Sequence, residues 1–226
     1  MALILSLESS VSGCSVAVHS AGELLGMEAD PTERSAARSL ALLADRLLNR
    51  LQIRPDALQA VAVAAGPGSY TGLRIATATA KGLCVALGLP LIAVNSLMVL
   101  AARVRNRQGA TFLAPMFDAR RMEVYVMVLD EGYGEVMPVQ ALVLEPDSFA
   151  DVLDRGPVLF FGNGAEKIKG LLNHPGVRVL DGLEPDAAAM GALAWNRFRS
   201  GSFESVADFE PRYLKEFMVG GKPVRG

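Results

Sequence analysis

Apolar runs in this chain follow one order twice. "LILSLESS" at 3–10 reads as a short strand ending in a carboxylate, Glu8. "CSVAVH" follows a Ser/Gly turn, with Cys14, Val16 and Val18 alternating against smaller residues, and "ELLGMEA" makes a third strand. Asp30-Pro31-Thr32-Glu33 then announces a helix over 31–52, with Asp30 as cap, Pro31 in the first turn and Glu33 in capping-box position. Its stripe of Leu40, Leu43, Leu47 and Leu51 is widened by Leu42 and Leu48. "LQAVAVAA" reads as a buried strand. A helix spans 69–87 up to the stop at Gly88, and "LIAV" and "SLMVLAARV" supply a further strand and helix.

From about residue 110 the order starts again. "TFLAPMFDA" ends in Asp118, "MEVYVMVLD" and "EVMPVQALVL" follow, and then come a helix near "PDSFADVLD", the strand "VLFFG", a helix after Gly164, the strand "VRVL" and the helix "DAAAMGALAWNRF". Six, eight and ten residues beyond Glu8 stand Cys14, Val16 and Val18; the same steps from Asp118 reach Val124, Val126 and Val128. The two beginnings therefore match in register. An antiparallel meander leading into helix and strand is the order of a ribonuclease-H-like half. The expected fold is thus α/β, with two such lobes in the actin, Hsp70 and sugar-kinase (ASKHA) architecture, divided as 1–106 and 107–226. In that architecture strand-end carboxylates face a cleft that takes Mg-nucleotide. The fold leaves the function open.

With 226 residues and about half of them apolar, the chain has enough core for two compact lobes. A net charge of −2 gives no general pull toward nucleic acid. No apolar run reaches the ~18–20 residues of a membrane-spanning helix. "VSGC" at 11–14 imitates a lipoprotein cleavage box, but no basic residue precedes it and Glu8 interrupts the apolar segment, so no membrane attachment is expected. Cys14 and Cys84 fall within a strand and a helix, as packed residues of a reduced, cytoplasmic protein.

The segment "AAGPGSYTGLRIA" at 64–76 resembles a phosphate loop in layout, strand to Gly-Pro-Gly turn to helix. It is not a Walker motif: counting from Gly66, Thr71 takes the place of the second glycine and no Lys-Ser or Lys-Thr pair follows. G-x-G-x-x-G fails at Thr71 too. An anion site and a tight structural turn capped by Ser69 both fit. In the helix beyond it, Gly72, Ala76 and Ala80 form one stripe without bulk, and Ile75, Thr79, Gly82 and Ala86 a second. One stripe is needed for the chain's own sheet. The other calls for a further neighbour, the helix at 31–52 or another subunit. Tyr70, Arg74, Thr77 and Lys81 ride the remaining face.

Catalytic constellations are thin. His19 and His174 are the only histidines and lie in separate halves, so no H-x-x-x-H metal pair exists, and both read as turn residues. No G-x-S-x-G elbow occurs. Glu8 and Asp118 are suited to a hydrated Mg ion, with Ser10 beside Glu8, and "FFGNGAEK" offers Gly162 and Gly164 to an adenine or ribose. Those glycines serve equally to turn a strand into a helix.

"GPGSYTGLRIA" at 66–76 and "FDARRMEVY" at 117–125 resemble the two signature segments of the TsaB (YeaZ) family. "LSLESSVSGCSVAV" resembles its first hairpin and "EPRYLKE" its closing stretch, so the resemblance spans almost the whole chain. It implies an actin-like protein that does no chemistry itself. It implies a partner subunit that activates the TsaD-type threonylcarbamoyltransferase of tRNA modification, with a TsaE-type ATPase joining them. It also implies tRNA contact only through the complex, a homodimer when alone, no required cofactor, and ATP or ADP with Mg entering only in the assembly. Docking would use the first two helices, at Leu42, Tyr70, Gly72, Leu73, Arg74, Ala76, Thr77, Ala80 and Lys81. Glu8 stands where many relatives carry Asp. An autonomous ATPase or small-molecule kinase is the competing expectation.

Overall fold

The structure is a computed structural model and describes residues 2–33, 35–214, 218–219 and 222–223. The last two residues of "EPRYLKE" lie outside the described residues. The chain forms two compact units, residues 1–99 with 185–212, and 100–184 with 213–226.

The sheet of the first unit holds β1 (Leu3–Glu8), β2 (Cys14–Ser20), β3 (Glu23–Asp30), β4 (Ala60–Ala64) and β5 (Leu91–Val94) in the order β3-β2-β1-β4-β5. β1 and β2, and β2 and β3, pair antiparallel; β4 runs parallel to β1 and β5. Such a sheet is covered on both faces, and its central strands are apolar throughout. Leu5, Leu7, Val16, Val18, Val61 and Val63 face one core with α1 (Ala36–Arg50) and α2 (Tyr70–Leu87). Ile4, Ala17, Ala60, Ala62 and Ile92 face the other.

That second face is covered from far along the chain. Ala187, Met190 and Ala194, from a 3-10 turn at Ala187–Met190 leading into a helix at Gly191–Arg199, complete its core. The expected single cut at 106/107 is corrected accordingly: residues 100–106 group with the second unit, and 185–212 return to the first. Leaving Ile4, Ala62 and Ile92 uncovered would cost roughly 2 kcal/mol for each large side chain.

The second sheet contains β6 (Phe112–Asp118), β7 (Glu123–Leu129), β8 (Glu135–Val143), β9 (Val158–Phe161) and β10 (Val177–Leu180), ordered β10-β9-β6-β7-β8. Read from the other edge, this is the order of the first sheet. The division between the units at 99/100 falls within α3 (Ser96–Ala102), and α4 (Ala150–Leu153) adds Val152 and Leu153 to the second core beside Phe149 and Phe160. The helix at Gly191–Arg199 is α5. Both β1 and β6 lead the ribonuclease-H-like order the sequence predicts.

The register match does not hold. Glu8 stands opposite Ser15, and Leu7 opposite Val16; in the second unit Asp118 stands opposite Val124 and Met116 opposite Val126. Cross-strand partners share a face, so Asp118 is in the column of Met116 and Val124, whereas Glu8 is in the column of Ser6 and Ser15, away from Val16. The cause is the turn. Five residues, 9–13, join β1 to β2, and four, 119–122, join β6 to β7.

Two local expectations also change. α1 begins at Ala36 rather than 31, after Ser35, which makes no side-chain cap bond. Asp30 is occupied instead with Thr32, whose amide it accepts at 2.9 Å, and with Ser39 Oγ at 2.6 Å. These bonds, the Ser39 one first, hold its carboxyl at about 2. His19 is not a turn residue: it is buried in β2, with Nδ1 3.3 Å from Ser6 Oγ and Nε2 3.1 Å from the Ala188 carbonyl. Burial pushes its pKa down. His174 does sit in a turn, accepting the Gly176 amide at Nδ1. Both thiols are buried, which raises Cys14 and takes Cys84 to about 11.

Candidate protein-interaction face and the loop beside it

The Gly-Pro-Gly loop joins β4 to α2 and is tied to three other stretches of the first unit. Gly66 exchanges two hydrogen bonds with Ser96, its amide to Ser96 Oγ and the Ser96 amide to its carbonyl, both 3.0 Å. The Ser69 amide donates to the Ser10 carbonyl at 2.7 Å, and Ser9 Oγ donates to the Gly72 carbonyl at 2.8 Å. The Arg212 amide reaches the Ala65 carbonyl at 2.8 Å. Ser69 caps the helix as expected, its Oγ accepting the Gly72 amide.

The glycines permit these approaches. A Cβ on Gly66, whose φ is +100°, would lie 2.6 Å from the Arg212 carbonyl oxygen; at Gly68 and Gly72 a Cβ would overlap the carbonyl oxygens of Ser10 and Ser9. An anion at this helix start would meet the Ser10 carbonyl oxygen, which already accepts the Ser69 amide. Of the two readings of the loop, the structural junction is the one the geometry supports.

α1 and α2 lie side by side on the first sheet, sharing one core. α2 turns Leu73, Ala76, Thr77, Ala80 and Cys84 inward. Four of the expected docking residues, Leu73, Ala76, Thr77 and Ala80, are therefore corrected: they are enclosed in their own unit, because the stripe without bulk is what lets α2 lie close to β4. Gly72 is taken up by Ser9. Lys81 donates to the carbonyls of Ala207 at 2.9 Å and Phe209 at 3.2 Å, holding the returning segment along the helix. Arg74 Nη1 donates to Tyr70 Oη at 2.6 Å, with its guanidinium over the same ring.

Of the other lean stripe only Gly82 and Ala86 face outward, since Ile75 packs against the core of the unit. Thr71, Ala78, Gly82, Val85 and Ala86 are exposed, with Ile75 and Thr79 half-buried beside them. Val85 is 75% exposed and Leu42 on α1 54%. These are the exposed large apolar side chains of α1 and α2.

The residues expected at a nucleotide cleft are each engaged with neighbours in their own unit. Glu8 is 2% exposed, and its Oε1 accepts from both the amide and the hydroxyl of Ser10 within one turn. Asp118 is ion-paired to Lys167 and accepts the Arg120 amide at 2.6 Å. At Gly162 a Cβ would overlap the Met116 carbonyl oxygen, and at Gly164 it would lie 2.8 Å from the Phe117 carbonyl carbon. Both glycines let the β9 turn lie against β6, which is the turn reading of these residues.

Residues 26–215 match the family described as TsaD, tRNA N6-adenosine threonylcarbamoyltransferase. The chain is 31% identical over 220 residues, 94% of each protein, to the tRNA threonylcarbamoyladenosine biosynthesis protein TsaB of Escherichia coli. It is 39% identical over 132 residues to the Bacillus subtilis protein of that name, an alignment spanning 56% of each. The chain belongs to the TsaB family. Among solved structures, YeaZ from Pseudomonas aeruginosa superposes with a TM-score of 0.81 at 29% identity, covering 95% of this chain and 100% of that one. The α/β fold expected from the order of elements, with two five-stranded sheets of one strand order, is shared with that structure.

Within this TsaB-family chain, the residues that organise the motif were only partly visible beforehand. Ser9, Ser96 and Arg212 secure the loop, yet each is remote in sequence from the glycines it contacts. Lys167 and Asn163 secure Asp118 across 49 and 45 positions. Among the described residues no helix is long and apolar enough to cross a membrane, and no three His, Cys, Asp or Glu side chains gather as a metal site.

Proposed function

We propose that this chain is a non-catalytic subunit that binds a TsaD-type threonylcarbamoyltransferase and holds it in a working conformation for threonylcarbamoyladenosine modification of tRNA. The observation that carries this reading is the outward stripe of α2, Ala78, Gly82, Val85 and Ala86, with exposed Leu42 on α1. A lean helix face of this kind admits a helix of a partner at close range. The names of the full-length relatives support the pathway. Occupation of Glu8 by Ser10 and of Asp118 by Lys167 supports the absence of chemistry in this chain itself.

In this reading the protein works in the cytoplasm, meets tRNA only through the complex, is joined by a TsaE-type ATPase and requires no cofactor of its own. Without its partner it pairs with a second copy through the same stripe. The deciding experiment is co-expression with the TsaD-type homologue of the same organism, followed by a tRNA modification assay with and without this chain. Co-elution and modification that depends on the chain are expected; equal modification without it ends the reading. Calorimetry with Mg-ATP addresses the competing ATPase or kinase, which micromolar binding lost in Asp118→Ala would favour.

A further inference from the structure

Lys167 bridges the two ends of the turn between β6 and β7. Its Nζ donates to Asp118 Oδ1 and, at 2.7 Å, to the Glu123 carbonyl. The lysine side chain is 16% exposed, against 47% for the aspartate. Asp118 is held independently of it, accepting the Arg120 amide and donating its own amide to Asn163 Oδ1 at 2.9 Å. Between these anchors Arg120 and Arg121 take φ values of +70° and +50°, unusual for side-chain-bearing residues. The neighbouring charges Glu166, Lys169 and Asp181 are paired with one another.

A carboxylate oxygen and a backbone carbonyl converging on one point are the ligand type of a hard divalent cation. Here an ammonium group fills that point. It brings one positive charge, it is delivered by the chain, and a free ion would have to displace it against its own charge. We propose that Lys167 is a tethered substitute for a divalent cation at the end of β6, so that this corner holds its turn without metal and rejects Mg2+ and Mn2+. The inference concerns the second unit alone and does not depend on the docking face of α1 and α2.

The test is Mn2+ binding to the full chain, followed by electron paramagnetic resonance, alongside thermal unfolding in MgCl2 and in NaCl of matched ionic strength. The unsubstituted protein is expected to show no Mn2+ site sensitive to Asp118→Asn and the same unfolding temperature in both salts. Lys167→Ala is expected to gain a weak site, binding Mn2+ at least about tenfold better, in the millimolar range of sparsely ligated cations. The double variant Lys167→Ala/Asp118→Asn should lose that gain, and Lys167→Arg should behave as the unsubstituted protein. Lys167→Gln replaces the alanine variant if the latter does not fold. Mn2+ binding to the unsubstituted protein that Asp118→Asn abolishes, or no gain in the charge-removing variants, overturns the proposal.

Discussion

The amide of Ser69 donates to the carbonyl of Ser10 across 2.7 Å, joining the first turn of α2 to the turn that follows β1. Through this bond, and the Ser9 to Gly72 bond beside it, the signature loop sets the position of α2 on the sheet. One backbone bond and one serine hydroxyl thus tie the start of α2, and with it the face α2 offers a partner, to the turn after β1.

Gly72→Ala tests the junction. The added methyl group overlaps the Ser9 carbonyl oxygen, which is backbone and cannot swing aside. A loss of about 3 kcal/mol is expected, the upper range for overpacking. Urea denaturation measures it, and a change within 0.5 kcal/mol, roughly the surface-substitution range, would show that the turn yields.

Opposite faces of α2 should respond differently to bulk and charge. Ala80→Leu, in the core, should cost about 2 kcal/mol of stability. Val85→Glu, exposed, should leave stability within about 0.5 kcal/mol. It should nevertheless weaken pairing with the TsaD-type partner, and self-association, about tenfold or more, roughly 1.4 kcal/mol. Analytical ultracentrifugation of the two variants separates the effects.

Asp30 should govern part of the acid response. Its folded pKa of about 2 lies below the ordinary 3.8 because Ser39 and Thr32 donate to the carboxylate. The stabilisation is therefore complete above 3.8 and is lost as pH falls through about 2. Asp30→Asn should flatten the fall of the urea midpoint across that window, while leaving the protein folded at pH 7.

His19 acts in a higher window. Burial disfavours its imidazolium and places the folded pKa below 6.5, so the unfolded chain takes up the proton first. Stability linked to the neutral ring is whole above pH 6.5 and declines as pH falls below it. Nε2 carries the proton in that state, because it donates to the Ala188 carbonyl. In a nuclear magnetic resonance titration His19 should remain neutral at a pH where a solvent-exposed imidazole is half protonated; an ordinary midpoint near 6.5 would contradict its burial.

The order of elements along the chain, the capped start of α2 at Ser69 and its left-handed stop at Gly88 were all legible in the sequence, because each follows from local chemistry and apolar period. The two lean stripes of α2 were legible as well. Which residues face outward was settled by the sheet: Ala76 and Ala80 share a core with Val61 and Val63, Ile75 packs against the same core, and of the second stripe Gly82 and Ala86 stay exposed. The apparent equivalence of Glu8 and Asp118 failed for a similar reason: spacing along one strand says nothing of the turn that sets pairing, and one extra residue there moves a side chain to the other face. Lys167 on Asp118, Arg212 against Gly66 and α5 over β1 all join residues distant in the chain. Periodicity reports the face a segment needs to bury; only the folded backbone decides which remote group buries it.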